Sequence, residues 1–457
     1  MLSSRIITNN SYRNNTIMIL AEEQSNITDS SFHKMPMRNW WRRQYFHLRH
    51  LSPIWFVIVF ICILFLIIIV PNPFSAQYSR SSINQDVQWK NIKEILEIKE
   101  QIFQNETLLN NVKVIRHGSN ERQITSNILI VLYTTIFRDK KFCSFSIQRI
   151  FGKSCPSKHR CLWSCDHKKF READALIFHA YDIPLYRTSM PSRSETKPNS
   201  VWILWSDEPP SIINYGLFNS YHFNWTISYK LNSEVSIATY GLFSQRDNLL
   251  SNNEYQQWTR KEFSNRINGA LWFVSNCNAK KRLELFYNLK YSSKLLIEGY
   301  GRCVDNYPLH LCSSFSQCEH DYMSKFKFYL SFESNTCQDY ITEKFYKAFY
   351  YGLIPIVYGP ERSDYNRLAP KNSFIHIDDF DEDMNKLAMH LEEIHTNITL
   401  FSMYHEWRKN YEIIIDSKAL ERVRMCELCQ RLINIRKGEM TYYDNIEKFY
   451  TDKCNYT

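Results

Sequence analysis

Apolar positions along the chain fall into short runs separated by helical or turn-rich stretches. Residues 128–134, 174–179, 201–205, 270–275, 295–300, 326–332 and 353–358 are each of strand length, and a helical pattern at 279–289 lies among them. This alternation predicts an α/β protein built on parallel sheets. Residues 401–435 read as helical. The fullest unit spans 328–360: a strand at 328–332, a helix with the stripe Ile341, Phe345, Ala348 and Phe349, and a strand at 354–358. Asp339 is the expected N-cap and Gly352 the expected stop. Such a crossover places a ligand outside the carboxyl ends of the strands, here at the turn carrying Glu333, Ser334 and Asn335.

A different pattern precedes this region. Residues 53–70 are almost uninterruptedly apolar, follow Lys34, Arg38, Arg42, Arg43 and Arg49, and end without a small-residue cleavage pattern. They predict a retained signal anchor with a cytosolic N-terminus, a type II membrane protein. Trp40, Trp41 and Tyr45 fit an interfacial aromatic belt. The resulting plan is a cytoplasmic tail at 1–50, the anchor at 51–70, a stem at 71–123, two α/β domains at 124–262 and 263–435, and a C-terminal tail at 436–457. In the stem, Ile92, Ile95, Leu96, Ile98, Ile102 and Phe103 recur near helical spacing, as a helix or a short self-associating coil. Stem and anchor are thus the candidate homodimer contacts.

The net charge of +9 does not imply nucleic acid, because the basic residues are spread along a chain whose folded part is expected in the lumen. The modest cluster before the span suits anionic lipid headgroups. Of 13 cysteines all but Cys62 follow the span, an even set suited to disulfides in an oxidising compartment. Cys161 with Cys165, and Cys426 with Cys429, have spacings that zinc also uses, but no compact four-ligand run joins them. Sequons at Asn105, Asn224, Asn397 and Asn455 are candidate glycosylation sites; those at Asn9, Asn14 and Asn26 fall on the cytosolic side.

Lys344 lies in the opening turns of the crossover helix, where the dipole already places positive charge. An anion between them would reconcile the two, and backbone N–H groups, dipole and ammonium together would form a phosphate site. The alternative is an ordinary amphipathic helix with Glu343, Lys344 and Lys347 on its solvated face. Spacing does not decide between them. Nor is there a Walker loop or GxGxxG fingerprint.

Glu333, the run Asp339-Tyr-Ile-Thr-Glu-Lys-Phe345 and the following Ile-Pro-Ile-Val-Tyr-Gly-Pro360 resemble the signature of the α1,3/4-fucosyltransferases, inverting enzymes that use GDP-fucose. The segments WILWSDEPP at 202–210, FNWTISY at 223–229, VSNCN at 274–278 and Tyr300-Gly-Arg302 agree with it in order. The resemblance implies the GT-B architecture, two Rossmann-like domains facing across a cleft, with a boundary near 258–267, an acceptor-binding first domain and a GDP-fucose-binding second. It also implies a Golgi membrane location with a luminal catalytic domain, a glycan acceptor on glycoprotein or glycolipid, and transfer to a GlcNAc hydroxyl. Inverting displacement needs a base for the acceptor hydroxyl and stabilisation of the departing diphosphate.

Glu208 matches the family's Glu-Ser-Pro position and is the expected catalytic base. Here the triplet is Glu-Pro-Pro, and the adjoining Asp207 could share the task or the pair could cap the turn. Arg302 and Lys344 are the cations expected at the diphosphate, with Tyr340, Glu343, Ser275, Asn276, Glu333 and Asn335 as further donor-binding residues. With those cations no metal cofactor is required, although divalent ions can stimulate product release. The acidic run 378–383 reads as solvated charge rather than a metal-binding triplet. The resemblance further ties the CxxC at Cys426 and Cys429 to cysteines early in the catalytic region, Cys143 and Cys155 being the expected partners. A transferase using another nucleotide sugar and an inactive glycan-binding homologue remain as alternatives. The acceptor segments 158–166 and 187–197 do not discriminate Lewis-type from N-glycan core acceptors.

Overall fold

The computed structural model describes residues 87–109, 113–117, 127–304, 312, 316–435 and 439–455. The predicted span at 53–70 lies outside them. No helix among the described residues is long and apolar enough to cross a membrane.

The folded region carries two five-stranded sheets, parallel at every neighbouring pair. In the first the spatial order is Cys161–Ser164, Ile128–Leu132, Ala175–His179, Val201–Ser206, Trp225–Ser228. In the second it is Leu296–Tyr300, Ile267–Phe273, Phe326–Phe332, Ile354–Tyr358, Ile375–His376. Counted along the chain, both run 2-1-3-4-5, the doubly wound arrangement in which strand order reverses between strands 1 and 3. Ala175–His179, Val201–Ser206, Phe326–Phe332 and Ile354–Tyr358 are buried at every position, as parallel strands covered on both faces must be. Such strands are the unbroken apolar runs visible in the sequence. Cys161–Ser164 and Trp225–Ser228 are edge strands with mixed polarity, so periodicity missed them.

Residues 401–435 do not form one helix. A short helix Ile398–Met403 is followed by the strand Tyr411–Ile414, paired antiparallel with Leu242–Gln245, and then by the helix Ser417–Ile433. The β-branched run Ile413-Ile414-Ile415 favours the strand, and Asp416 restarts the helix by accepting from the Ala419 N–H at 2.8 Å.

The helix Ser417–Ile433 crosses back to the first sheet. Cys426 bonds Cys155, one of the two expected partners of the CxxC, but Cys429 bonds Cys161, and Cys143 pairs with Cys165. The helix runs alongside the 157–161 turn, with Cys429 Sγ 3.3 Å from the Ser157 carbonyl, which brings Cys161 rather than Cys143 into bonding range. Cys277–Cys303, Cys312–Cys318 and Cys337–Cys454 engage the remaining cysteines that follow Cys62.

The segment expected as a C-terminal tail is folded. Glu439–Tyr443 pairs antiparallel with Lys113–His117, and the helix Ile446–Thr451 buries Ile446, Phe449 and Tyr450. The Tyr450 ring stacks on Tyr215 at 3.7 Å. Aromatic residues in a mostly polar stretch mark this packing, a signal that charge-weighted reading discounts.

The stem sequence forms the helix Lys93–Leu109, and its periodic face packs against its own chain. Lys99, 1% exposed, donates to Glu427 at 2.7 Å and to the Glu234 carbonyl at 2.6 Å. Burial lowers its pKa to about 8 against the opposing pull of Glu427. Arg431 binds Glu100 at 2.7 Å one turn further on.

Asn224 is buried and fully engaged: its Oδ1 accepts from Arg193 at 2.9 Å and from the Trp202 N–H at 2.8 Å, and its Nδ2 donates to the Thr441 carbonyl at 2.8 Å. It cannot carry a glycan in this fold. Asn397 caps Ile398–Met403 through Oδ1 and is exposed, and Asn455 is exposed. The Asn105 side chain lies outside the described residues.

Two outcomes follow from this packing. Lys99→Met, which strands the buried Glu427 carboxylate, should cost about 3–5 kcal/mol in denaturant unfolding, and Lys99→Met with Glu427→Gln should recover most of it. Glycopeptide mass spectrometry of chain secreted from a glycosylating host should find Asn397 occupied and Asn224 bare.

Candidate active site

The residues expected in the donor site gather at the carboxyl ends of the second sheet. Ser275 and Asn276 follow Ile267–Phe273, Arg302 follows Leu296–Tyr300, and Glu333 and Asn335 follow Phe326–Phe332. Gly359, at φ +144, follows Ile354–Tyr358; a Cβ there would stand 2.9 Å from Glu333 Cβ, so only glycine lets the two turns approach. Gly301, at φ +117, sits against the Val274 carbonyl, where a Cβ would be 2.1 Å away. That contact and the Cys277–Cys303 bond press the 301–304 turn onto the 274–278 turn, and Arg302 donates to the Ser275 carbonyl at 3.1 Å. Ser275, Asn276 and Arg302 are exposed there.

The crossover helix begins later than expected, at Glu343, with Thr342 as its N-cap residue. Asp339 is not the cap. It is buried at φ +63, accepts from the Leu231 N–H of the first half at 3.0 Å, and pairs with Arg367 at 2.6 Å. Arg367 also binds Asp364, and burial followed by the Asp339 charge raises the Asp364 pKa to about 7. Gly352, at φ +82, ends the helix as expected, with the Leu353 N–H donating to the Ala348 carbonyl at 2.8 Å.

The anion that the Lys344 position called for is part of the protein. Glu333, 1% exposed, accepts from the Thr342 N–H at 2.7 Å and the Thr342 hydroxyl at 2.9 Å, and lies 3.4 Å from Lys344 Nζ. Lys344 also donates to the Thr342 hydroxyl at 2.7 Å and pairs with Glu343 at 3.3 Å. Burial opposes the Lys344 charge, but Glu333 and Glu343 outweigh it and hold its pKa above the ordinary lysine value. Burial raises the pKa of Glu333, with Lys344 pulling the other way. A carboxylate therefore engages the N-cap residue of the helix, and Lys344 stands between two acids with its side chain 23% exposed.

Arg282 was missed by sequence reading. It is buried in the helix Lys280–Ser292 and donates to the Asn276 carbonyl at 2.7 Å and the Phe332 carbonyl at 3.1 Å, bridging strands 1 and 3 where their order reverses. Its Nε is buried without a partner. Burial lowers its pKa, opposed first by Glu333 and then by Tyr340. A third basic residue straight after VSNCNA was its only sequence trace.

Glu208 comes from the other half, just past Val201–Ser206. Its pKa is raised by burial, then by Asp207 and Glu343, with Lys344 lowering it. Tyr340 lies among Tyr229 at 5.2 Å and Tyr240 at 6.3 Å between ring centroids, and burial raises its pKa. Asp207 is committed elsewhere: Arg424 grips it with two bonds of 2.7 and 2.8 Å, and the Trp205 indole N–H donates to it at 3.0 Å. Both Asp207 carboxylate oxygens are thus engaged by Arg424. The acidic run 378–383 is on the surface, where Asp383 caps the helix Met384–Thr396 and Asp379 pairs with Arg362.

Comparisons with known proteins bear on this geometry. The family model described as glycosyltransferase family 10 (fucosyltransferase) C-term matches residues 258–449, and the one described as fucosyltransferase, N-terminal matches 125–241. The alpha-(1,3)-fucosyltransferase fut-5 of Caenorhabditis elegans is 27% identical over 336 residues, covering 71% of this chain and 84% of that protein. The 4-galactosyl-N-acetylglucosaminide 3-alpha-L-fucosyltransferase 9 of Bos taurus is 31% identical over 292 residues, covering 64% of this chain and 74% of that protein. A crystal structure of an α1,3-fucosyltransferase with GDP-fucose has 14% identity and a TM-score of 0.40 over 70% of this chain and 94% of that one. Both halves of the folded region thus match the paired models of one family, and this chain belongs to the glycosyltransferase family 10 fucosyltransferases.

Proposed function

We propose that this chain is an α1,3-fucosyltransferase that moves L-fucose from GDP-β-L-fucose to a GlcNAc hydroxyl of a glycoprotein or glycolipid glycan, with inversion and in one displacement. The observation that carries the reading is the contact between the strand end bearing Glu208 and the turn before Glu343 and Lys344: the Tyr240 hydroxyl donates to the Asp207 carbonyl and its ring lies 6.3 Å from that of Tyr340. The two parallel sheets of order 2-1-3-4-5 support the GT-B architecture.

In this reading the Glu208 carboxylate takes the acceptor hydroxyl proton as the oxygen attacks the anomeric carbon. The bond to the diphosphate breaks on the opposite face, and negative charge grows on the departing GDP. Arg282, Arg302 and Lys344 meet that charge. The unpartnered Arg282 Nε and the exposed Arg302 guanidinium can donate to phosphate oxygens, and Lys344 can turn from Glu343 toward them. Tyr340, Glu343 and Asn335 orient the fucose and ribose hydroxyls, and Ser275 and Asn276 the nucleotide. Three cations suffice for the diphosphate, so the chemistry requires no metal. Six disulfides and the 53–70 span support a type II Golgi enzyme with a luminal catalytic region.

Glu208→Gln should lose about 10²–10⁴-fold in transfer while GDP binding by calorimetry is unchanged. Because the base must be ionised, kcat/KM should fall as pH drops through the Glu208 pKa, and burial places that acid limb above the ordinary glutamate range. Retained transfer in Glu208→Gln would remove the base assignment. Lys344→Ala should lose about 10²–10³-fold with GDP-fucose. Turnover of GDP-mannose or a UDP-sugar in preference to GDP-fucose would overturn the donor.

A further inference from the structure

Two consecutive carboxylates close the strand Val201–Ser206, and they meet opposite environments. The strand ends at Ser206 and the chain bends at Glu208, so the two side chains meet different neighbours. Asp207 faces the helix Ser417–Ile433, where Arg424 holds both its oxygens. The Arg424 side chain is 4% exposed, its Nε is buried without a partner, and its guanidinium lies 5.3 Å from the Trp205 ring centroid. The helix carrying it cannot shift easily: Cys426 and Cys429 bond to the first half, and Glu427, three residues from Arg424, is fixed by Lys99. The Asp207 carbonyl accepts from the Tyr240 hydroxyl and the Glu208 carbonyl from Tyr215 at 2.7 Å, so the backbone of the pair is held as well.

We propose that Arg424 is a positioning residue for the fucosyl transfer: by locking Asp207 into a buried fork it aims Glu208 at the cleft and screens it from the neighbouring charge. This rests on Glu208 being the base. Without Arg424, Asp207 would be an uncompensated carboxylate beside that base, and a like charge at such range favours the protonated form of its neighbour. An ion pair in place of a lone charge keeps Glu208 deprotonated at lower pH than a bare Asp207 would, while burial, the remaining pull of Asp207 and Glu343 push the other way.

The groups facing the two carboxylates are few. Glu343, Lys344, Tyr340 and Tyr240 face Glu208 from the second half and the loop before Leu242–Gln245. His179, Tyr215 and Tyr450 face Asp207, and Glu421 and Glu427 face Arg424 from its own helix. Of these, Arg424 alone makes a bidentate contact with Asp207 among the described residues.

The test is a pH–rate series on the full chain with Arg424→Met, Arg424→Lys, Asp207→Asn and Asp207→Asn with Arg424→Met, each checked for GDP affinity. Arg424→Met should move the acid limb of kcat/KM upward by roughly one pH unit and lower kcat, with GDP affinity within about twofold. Arg424→Lys, which keeps the charge but not the fork, should leave the limb near its original place with a reduced kcat. The double variant should return the limb to the original value or below it, because neither charge remains. An acid limb that is the same in Arg424→Met and the double variant overturns the proposal, since a purely structural loss would scale the profile without shifting it. If Arg424→Met fails to fold, the limb of Asp207→Asn decides: a shift upward, or loss of transfer as complete as in Glu208→Gln, overturns it. Failure of the base reading is distinguished by Glu208→Gln, which would then remain active whatever the limb does.

Discussion

The returning helix Ser417–Ile433 is the constraint on which the rest of this molecule depends. Two sheets of the same strand order can form a transferring site only if their carboxyl ends stay opposed, and a single connection between them would leave that angle free. Two disulfides fasten the helix to the first half, and Lys99 from the stem helix closes over its Glu427. The same helix places Arg424 on Asp207, so the element that holds the first half together also sets the end of the strand that carries Glu208.

Electrostatics in the second half follow a different logic. Glu333 is buried deeply enough to be costly, yet it accepts a backbone N–H, a hydroxyl and an ammonium, which together make ionisation tolerable. Lys344 is shared between Glu333 and Glu343, so the cation at the start of the crossover helix has partners within the protein.

The two acids at the end of Val201–Ser206 show how neighbouring identical chemistry is divided. Asp207 receives a guanidinium and an indole N–H, and Glu208 receives neither. One becomes a fixed structural charge and the other is left with its pKa raised toward a working range by burial.

The parallel α/β class, the central strands and the residues that gather at the carboxyl ends were legible along the chain. These rest on local properties: unbroken apolar runs where both faces are covered, glycine where a turn is tight, and a family-like spacing of Glu208, Glu333, Tyr340, Glu343 and Lys344. Pairings between residues far apart were not legible there and emerged only on folding. Cys429 chose Cys161, Asp207 chose Arg424, Asn224 went to the interior, Arg282 bridged two strand ends, and the final residues folded back instead of trailing. Each depends on where a long-range crossing falls, and no periodicity or composition encodes that. Likewise the spacing around Lys344 left open whether an anion stood beside it, and only folding could bring Glu333 there from the preceding strand end.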